Sequence, residues 1–258
     1  MKILAIGNSF AEDTFWLSPE VALSMGVEDF TFAHLYCGGC SINQHLLHAR
    51  ENRAAYLYQK NCGGIWEENR YDVTMRPVLE EEQWDWIILS TGTGDGSRWT
   101  EVESYKNLAQ LIACVKPYVP EQVRFAFNVT WAGEATFERY EQPDLQKFAG
   151  DQIAMMDAIN AIVREYVAVL PEIATIIPTG IAVQNLRAAC GLCLCRDDYH
   201  LSYDVGRYAA ASTAMMVLTG CEDVERITYT PLEAGLNKQV LEAVANALKT
   251  PYSVTWPK

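Results

Sequence analysis

Five short apolar runs rich in β-branched or aromatic residues punctuate the chain, at residues 2–6, 30–36, 86–89, 123–128 and 174–177. Each gives way to Gly, Asn, Thr or Pro signals that interrupt extended structure, so each predicts a strand. Between them, apolar residues recur at three-and-four spacing over 41–58, 101–115 and 144–169, the last through Phe148, Ile153, Met156, Ile159, Ile162 and Val163. Two further periodic stretches, 205–218 and 231–248, close the chain. These patterns predict helices. Strands that alternate with helices of this length need crossover connections, hence an α/β architecture with a mostly parallel sheet covered on both faces. The polar, Gly-containing, acidic stretch 61–83 is expected to be an insertion or hairpin. With no Pro/Ser/Gly-rich linker, internal repeat or low-complexity tract, residues 1–258 are expected to form one domain.

Ligands of open parallel sheets collect at the carboxyl ends of the strands. Small and polar residues gather at those ends here. The first predicted strand leads into Gly7-Asn8-Ser9, the second into Cys37-Gly38-Gly39-Cys40-Ser41 and the third into Ser90-Thr91-Gly92-Thr93-Gly94-Asp95-Gly96-Ser97. The fourth leads into Asn128-Val129-Thr130-Trp131, and the fifth into Pro178-Thr179-Gly180 and, later, Asp197 and His200.

The 258 residues, half of them apolar, suffice for a substantial core. A net charge of −13 argues against a nucleic-acid partner or an anionic membrane surface. No apolar run reaches the ~18 residues of a membrane span. The first apolar run is short and lacks a cleavage signal, so a cytoplasmic location is expected. The eight cysteines are then expected to be reduced thiols.

Serine becomes nucleophilic only when a base takes its proton, and an imidazole needs an acceptor on its second nitrogen to hold the right tautomer. Ser9, on the turn after the first strand, is the candidate nucleophile; His200 is the candidate base and Asp197 its orienter. A helical turn beginning at Phe10 would add backbone N–H groups and a helix dipole to stabilise an oxyanion. Taken separately, each segment reads more readily as a helix cap than as part of a catalytic site.

In these blocks the chain resembles the SGNH hydrolases, the GDSL-type esterase and lipase superfamily, and more closely a bacterial branch whose first block reads Gly-Asn-Ser-Phe. Gly7-Asn8-Ser9-Phe10 matches the nucleophile block, with Asn where the parent motif has Asp. Gly38-Gly39-Cys40-Ser41, followed by His45, matches the second block, and the resemblance assigns an oxyanion-hole N–H to Gly39. Trp84-Asp85-Trp86-Ile87-Ile88-Leu89 matches the strand before the third block; Thr130-Trp131-Ala132 and Pro178-Thr179-Gly180 look like branch-specific segments. Asp197 to His200, followed by Leu201-Ser202 and Gly206-Arg207-Tyr208, matches the last block.

The resemblance implies a three-layer α/β/α sandwich with a flavodoxin-like five-stranded parallel sheet. It also implies ester hydrolysis without metal or cofactor, often of an O-acetyl group on a carbohydrate. The expected oxyanion hole comprises the N–H groups of Ser9 and Gly39. One departure bears on it: the family's third block carries an Asn that donates to the oxyanion, and Gly94 stands in its place. Losing one such donor typically costs about 100- to 1000-fold in rate. Thr91, Thr93, Gly94 or Asn128 remain open as substitutes. Asn128 and Trp131 are the expected substrate contacts, with Trp131 and Trp99 able to stack on a sugar.

Other readings compete for the same residues. Cys37 and Cys40 form one C-x-x-C, and Cys190, Cys193 and Cys195 a second cluster, from which a zinc or thiol site is conceivable. His45 and His48 lie three apart on a predicted helix and are more simply read as solvated or hydrogen-bonded than as a metal pair. The glycine-rich turn from Gly92 lacks the third glycine of a dinucleotide fingerprint and the lysine of a phosphate loop. Glu80-Glu81-Glu82 is expected to be a solvated face. A catalytically weakened hydrolase-fold binding protein is the alternative to an esterase, motivated by Gly94.

Overall fold

The computed structural model describes residues 1–91, 102–136, 141, 146–148 and 150–255. A parallel sheet runs through the centre, built from β1 (Lys2–Gly7), β2 (Thr31–Tyr36), β6 (Trp86–Ser90), β7 (Arg124–Asn128) and β8 (Ile173–Ile177) in the spatial order β2-β1-β6-β7-β8. Its middle strands are buried on both faces, which is why they read as continuous apolar runs rather than alternating ones. In register, Ile3 sits between Phe32 and Trp86, and Ile6 between Leu35 and Leu89.

From β1 the chain crosses one way to β2 and afterwards the other way to β6, β7 and β8. Right-handed crossovers therefore put the connecting helices on opposite faces. On one side, α1 (Ser9–Phe15) and α2 (Ser18–Ser24) pack against α9 (Val205–Thr219), which also meets α8 (Thr179–Cys190) and α10 (Ala234–Lys249). On the other lie α3 (Ile42–Glu51), α4 (Met75–Leu79), α5 (Val102–Lys106), α6 (Leu108–Val115) and α7 (Gln152–Ile162), the last running into a π-helical turn at Val163–Val167. The result is an α/β protein whose central, mostly parallel sheet is flanked by helices.

The five parallel strands are as expected, and three antiparallel strands extend their β2 edge, so that among the described residues the sheet has eight strands. They are β3 (Tyr56–Cys62), β4 (Ile65–Trp66) and β5 (Arg70–Val73), with β3 pairing β2, β4 and β5. The periodic stretch 41–58 is thus not one helix. α3 stops where Asn52 turns left-handed, at φ 49°, and Tyr56 and Tyr58 enter β3 with their rings buried. The stretch 61–83 is this hairpin region together with α4.

Glu81 and Glu82 are not a bare solvated face. Lys60 donates to Glu81 at 3.0 Å and to Glu82 at 2.8 Å, Lys2 pairs with Glu82, and Arg70 and Tyr58 also donate to Glu81. The acidic run therefore ties the added strands to the start of β1. Among the described residues, no helix is long and apolar enough to cross a membrane.

Candidate active site

β1 ends at the centre of the sheet, where the crossovers depart in opposite directions, and open α/β sheets bind their ligands at such a switch point. Gly7 closes the strand. A Cβ there would lie 2.5 Å from Ala11 Cβ and 3.0 Å from Ser90 Oγ, so only glycine lets α1 start this close to the sheet. Asn8 caps α1: its side-chain oxygen accepts from Phe10 N–H at 3.0 Å, and its amide donates to the Cys40 carbonyl at 2.8 Å. One side chain thereby joins the turn bearing Ser9 to the turn after β2. That second turn is closed by Cys40 N–H donating to the Cys37 carbonyl and contains Gly39 at φ 66°.

Ser9 is the first residue of α1. Its Oγ lies 2.8 Å from His200 Nε2, and His200 Nδ1 lies 2.8 Å from Asp197 Oδ2. An Nδ1–H donating to the carboxylate leaves Nε2 free of a proton and able to accept the serine hydroxyl. Asp197 Oδ1 also accepts the backbone N–H groups of Tyr199 (2.9 Å) and His200 (2.7 Å), which locks the carboxylate to its own loop. Partial burial pushes the Asp197 carboxyl up, but these N–H groups and the His200 ring outweigh it and hold the carboxyl below its ordinary value.

The loop carrying Asp197 and His200 is a tight excursion closed by a bridge between Cys195 and Leu201 and by Arg196 N–H donating to the His200 carbonyl at 2.8 Å. Three groups from elsewhere anchor it. Asp13, one turn beyond Ser9 on α1 and fully buried, accepts from Leu201 N–H at 2.8 Å. It also accepts from Arg196 Nη1 at 2.9 Å, Arg207 Nε at 2.8 Å and Arg207 Nη2 at 2.7 Å. Trp131 Nε1–H donates to the Tyr199 carbonyl at 2.7 Å, and Glu134 N–H donates to the Asp198 carbonyl at 2.8 Å.

Glu134 fixes the segment before the loop. Its Oε1 accepts from Arg187 Nη2 at 2.9 Å and from the N–H groups of Leu194 and Cys195, both at 3.0 Å. Burial raises the Glu134 carboxyl, but the Arg187 guanidinium and these donors more than cancel that effect, so it lies below its ordinary value.

Several sequence expectations change. Trp131 is 0% exposed and packs against Phe10 with ring centroids 4.8 Å apart, so its indole offers no face to a sugar; it holds the His200 loop instead. Asn128 is also 0% exposed. Its amide donates to Thr14 Oγ1 at 2.9 Å and accepts from Thr179 Oγ1 at 2.6 Å, so it bolts β7 to α1 and α8 rather than meeting substrate or oxyanion. The Thr91 hydroxyl is buried and lies 3.3 Å from the Tyr105 hydroxyl. Thr93, Gly94 and Trp99 lie outside the described residues.

The five-cysteine site does not form either. Cys195 is buried, its Sγ 3.3 Å from Arg187 Nη2, and Cys193 is exposed; among the described residues, Cys37 and Cys40 converge with His48 and with no other cysteine. His45 does not pair with His48: its Nδ1 is 3.0 Å from Tyr56 Oη, and burial pushes its pKa down to about 3, so it stays neutral.

The sequence does not single out Asp13, Glu134, Arg187 or Arg196, and it places Arg207 only within the last matched block, without a role. A signal existed for Asp13: it stands four residues after Ser9, on the same face of α1, in a short helix that also carries Phe10, Ala11 and Phe15. Its partners, 183 and 194 residues away, left none.

A parallel sheet with 2-1-3-4-5 strand order and a Ser–His–Asp chain at its switch point defines the class of protein: an α/β fold with a hydroxyl, an imidazole and a carboxylate aligned at the strand ends. Residues 2–247 match the family described as a domain of unknown function, DUF4886, and the chain belongs to that family. It is similar to a DUF4886 family protein from Bacteroides uniformis at 28% identity and a TM-score of 0.89, covering 99% of this chain and 97% of that one. Weaker likenesses are to a member of the lipolytic protein G-D-S-L family from Veillonella parvula (14% identity, TM-score 0.48, 85% of this chain and 98% of that one) and to a GDSL-like lipase from Bacteroides thetaiotaomicron (11% identity, TM-score 0.46, 85% and 88%). No curated protein matches the chain.

Proposed function

We propose that the protein is a serine-dependent ester hydrolase that removes a small acyl group, such as O-acetyl, from a carbohydrate or another small molecule. The observation that carries this reading is the unbroken chain from Ser9 Oγ through the His200 ring to Asp197, with both contacts at 2.8 Å. Ser9 Oγ attacks the acyl carbon while His200 Nε2 takes its proton, and the carbonyl oxygen becomes an oxyanion. The start of α1 supplies the Ser9 backbone N–H and the positive end of the helix dipole to that charge. Gly39, on the turn that Asn8 ties to Ser9, is the second contributor.

Collapse of the intermediate breaks the ester bond, and His200 returns the proton to the departing alcohol. A water molecule then gives its proton to His200 and attacks the acyl carbon, Ser9 leaves with that proton, and the acid is released. Asp197 stabilises the imidazolium in both halves. No cofactor enters the scheme.

The test is turnover of para-nitrophenyl acetate by the parent and by Ser9→Ala, alongside labelling by a fluorophosphonate. Turnover and a covalent adduct on Ser9, both absent from the variant, support the proposal. Equal turnover by both proteins removes it. A folded parent that neither turns over nor labels favours the binding-protein reading.

A further inference from the structure

We propose that Cys37, Cys40 and His48 form a binding site for a thiophilic cation of the zinc class. The site is separate from the serine chain and does not depend on Ser9 being a nucleophile. Cys37 and Cys40 flank the turn after β2, whose closing hydrogen bond, Cys40 N–H to the Cys37 carbonyl, brings both side chains to one side. Their sulfurs lie 2.8 Å apart. His48 reaches the same point from the far half of α3, with Nδ1 3.8 Å from Cys40 Sγ. All three potential ligand atoms fall within 4.8 Å of one another.

The geometry suits zinc with a small adjustment. Zinc binds thiolate sulfur at about 2.3 Å and imidazole nitrogen at about 2.0–2.1 Å, which in a tetrahedron puts sulfur and nitrogen about 3.5 Å apart and two sulfurs about 3.75 Å apart. The Cys40 Sγ–His48 Nδ1 separation of 3.8 Å is close to that value. The sulfurs have to part by about 1 Å, within reach of rotating the half-buried Cys37. With two sulfurs and one nitrogen and no oxygen ligand, the set favours zinc or another thiophilic ion over magnesium or calcium. Cys40 is buried while Cys37 and His48 are half-buried, so a bound ion has a closed back and an open fourth position toward solvent.

The sequence grouped these residues differently, joining the cysteine pair to Cys190, Cys193 and Cys195, and His48 to His45. The fold reassembles them because α3 begins immediately after the turn and carries His48 back over it. A bound ion would brace the turn that contains Gly39, whose Cys40 carbonyl receives the Asn8 amide.

The experiment titrates the full-length, freshly reduced protein with Co2+ and then Zn2+ under anaerobic conditions. It follows thiolate-to-cobalt charge transfer in the near ultraviolet, with native mass spectrometry for stoichiometry. The expected result is a 1:1 complex whose charge-transfer band is bleached by Zn2+, and Cys37→Ser and His48→Ala variants, folded by circular dichroism, that bind at least about tenfold more weakly. The proposal is overturned by no bound metal in the reduced parent, by a band that survives undiminished in Cys37→Ser, or by binding unchanged in His48→Ala. A Cys37–Cys40 disulfide that forms in air and, once reduced, takes up no metal also overturns it, and identifies the pair as a redox couple instead.

Discussion

Replacing Asp13 by Asn tests whether the His200 loop is held by a buried charge. The Asp13 carboxylate is fully buried and bridges two guanidiniums, from Arg196 and Arg207, while accepting the Leu201 N–H. Asparagine preserves the shape and one acceptor, but removes the negative charge and turns an N–H2 group toward donors. Breaking a buried pair from one side generally costs about 3–5 kcal/mol, because a charge is left uncompensated. Arg207 is enclosed, with a side chain 7% exposed, whereas the Arg196 side chain, 23% exposed, can swing toward water. The lower end, about 3 kcal/mol, is therefore the expected loss. At roughly 2–4 °C per kcal/mol for a chain of this size, the melting temperature should fall by about 6–12 °C.

The same change releases the backbone next to His200, and a misplacement of about 1 Å there costs on the order of 100-fold in kcat. The assays are urea and thermal denaturation together with para-nitrophenyl acetate kinetics, read also in Arg207→Gln and in the double variant. If the carboxylate and Arg207 act as one unit, the double variant loses clearly less stability than the two singles added together. A melting temperature within about 2 °C of the parent would show that the network does not hold the loop.

Other predictions are more local. Asp197→Asn keeps an oxygen for the Tyr199 and His200 N–H groups but no longer stabilises the imidazolium, so kcat should drop by about 100- to 10,000-fold with an almost unchanged melting curve; a drop under about threefold contradicts the role given to Asp197. Gly180→Ala should destabilise by about 1–3 kcal/mol or more, since a Cβ there would lie 2.1 Å from the Thr130 carbonyl oxygen, a backbone atom that cannot move aside; an unchanged urea midpoint would contradict the packing. Glu134 has a carboxyl held below its ordinary value of 4.5, so the stability it contributes is in full force above that value and is lost as the pH falls through the lower folded one. Urea midpoints measured from neutral pH down through the acid range should therefore decline in the parent and less steeply in Glu134→Gln.

The parts of the fold that could be read from the chain are those whose signal is local. Trp86-Ile87-Ile88-Leu89 is a central strand because both of its faces are covered, and a continuous apolar run records that directly. Ser9 after Gly7-Asn8, and Asp197 three residues before His200, are likewise local patterns. The structure brings those three side chains within hydrogen-bonding distance. α8 left no such record: from Thr179 to Arg187 it is buried on all sides, and a helix without an exposed face has no apolar stripe to detect. β3 was hidden for the opposite reason, since Tyr56 and Tyr58 happen to continue the apolar spacing of α3. The left-handed Asn52 that separates the two elements was the available clue. Trp131 and Asn128 show the limit of arguing from strand ends alone. Proximity to the strand ends is set by the sheet, but what a side chain there meets depends on partners such as Tyr199 and Thr179, from other elements.

The spacing of the site follows from one short helix. Ser9 and Asp13 stand four residues apart on α1, hence on one face and about 6 Å apart along its axis. Across from them, His200 and Leu201 are consecutive in the chain. Ser9 meets the side chain of the first, and Asp13 the backbone N–H of the second. Two points of contact on one rigid element fix both the position and the tilt of the opposing loop, which a single serine–histidine contact cannot do. The loop's own geometry, with the Asp197 carboxylate bound to the backbone of Tyr199 and His200, then carries that fixed frame to the far side of the imidazole. The serine-to-histidine distance is thus set by a helical turn and a buried carboxylate rather than by the nearly 200 residues that separate the two side chains in sequence.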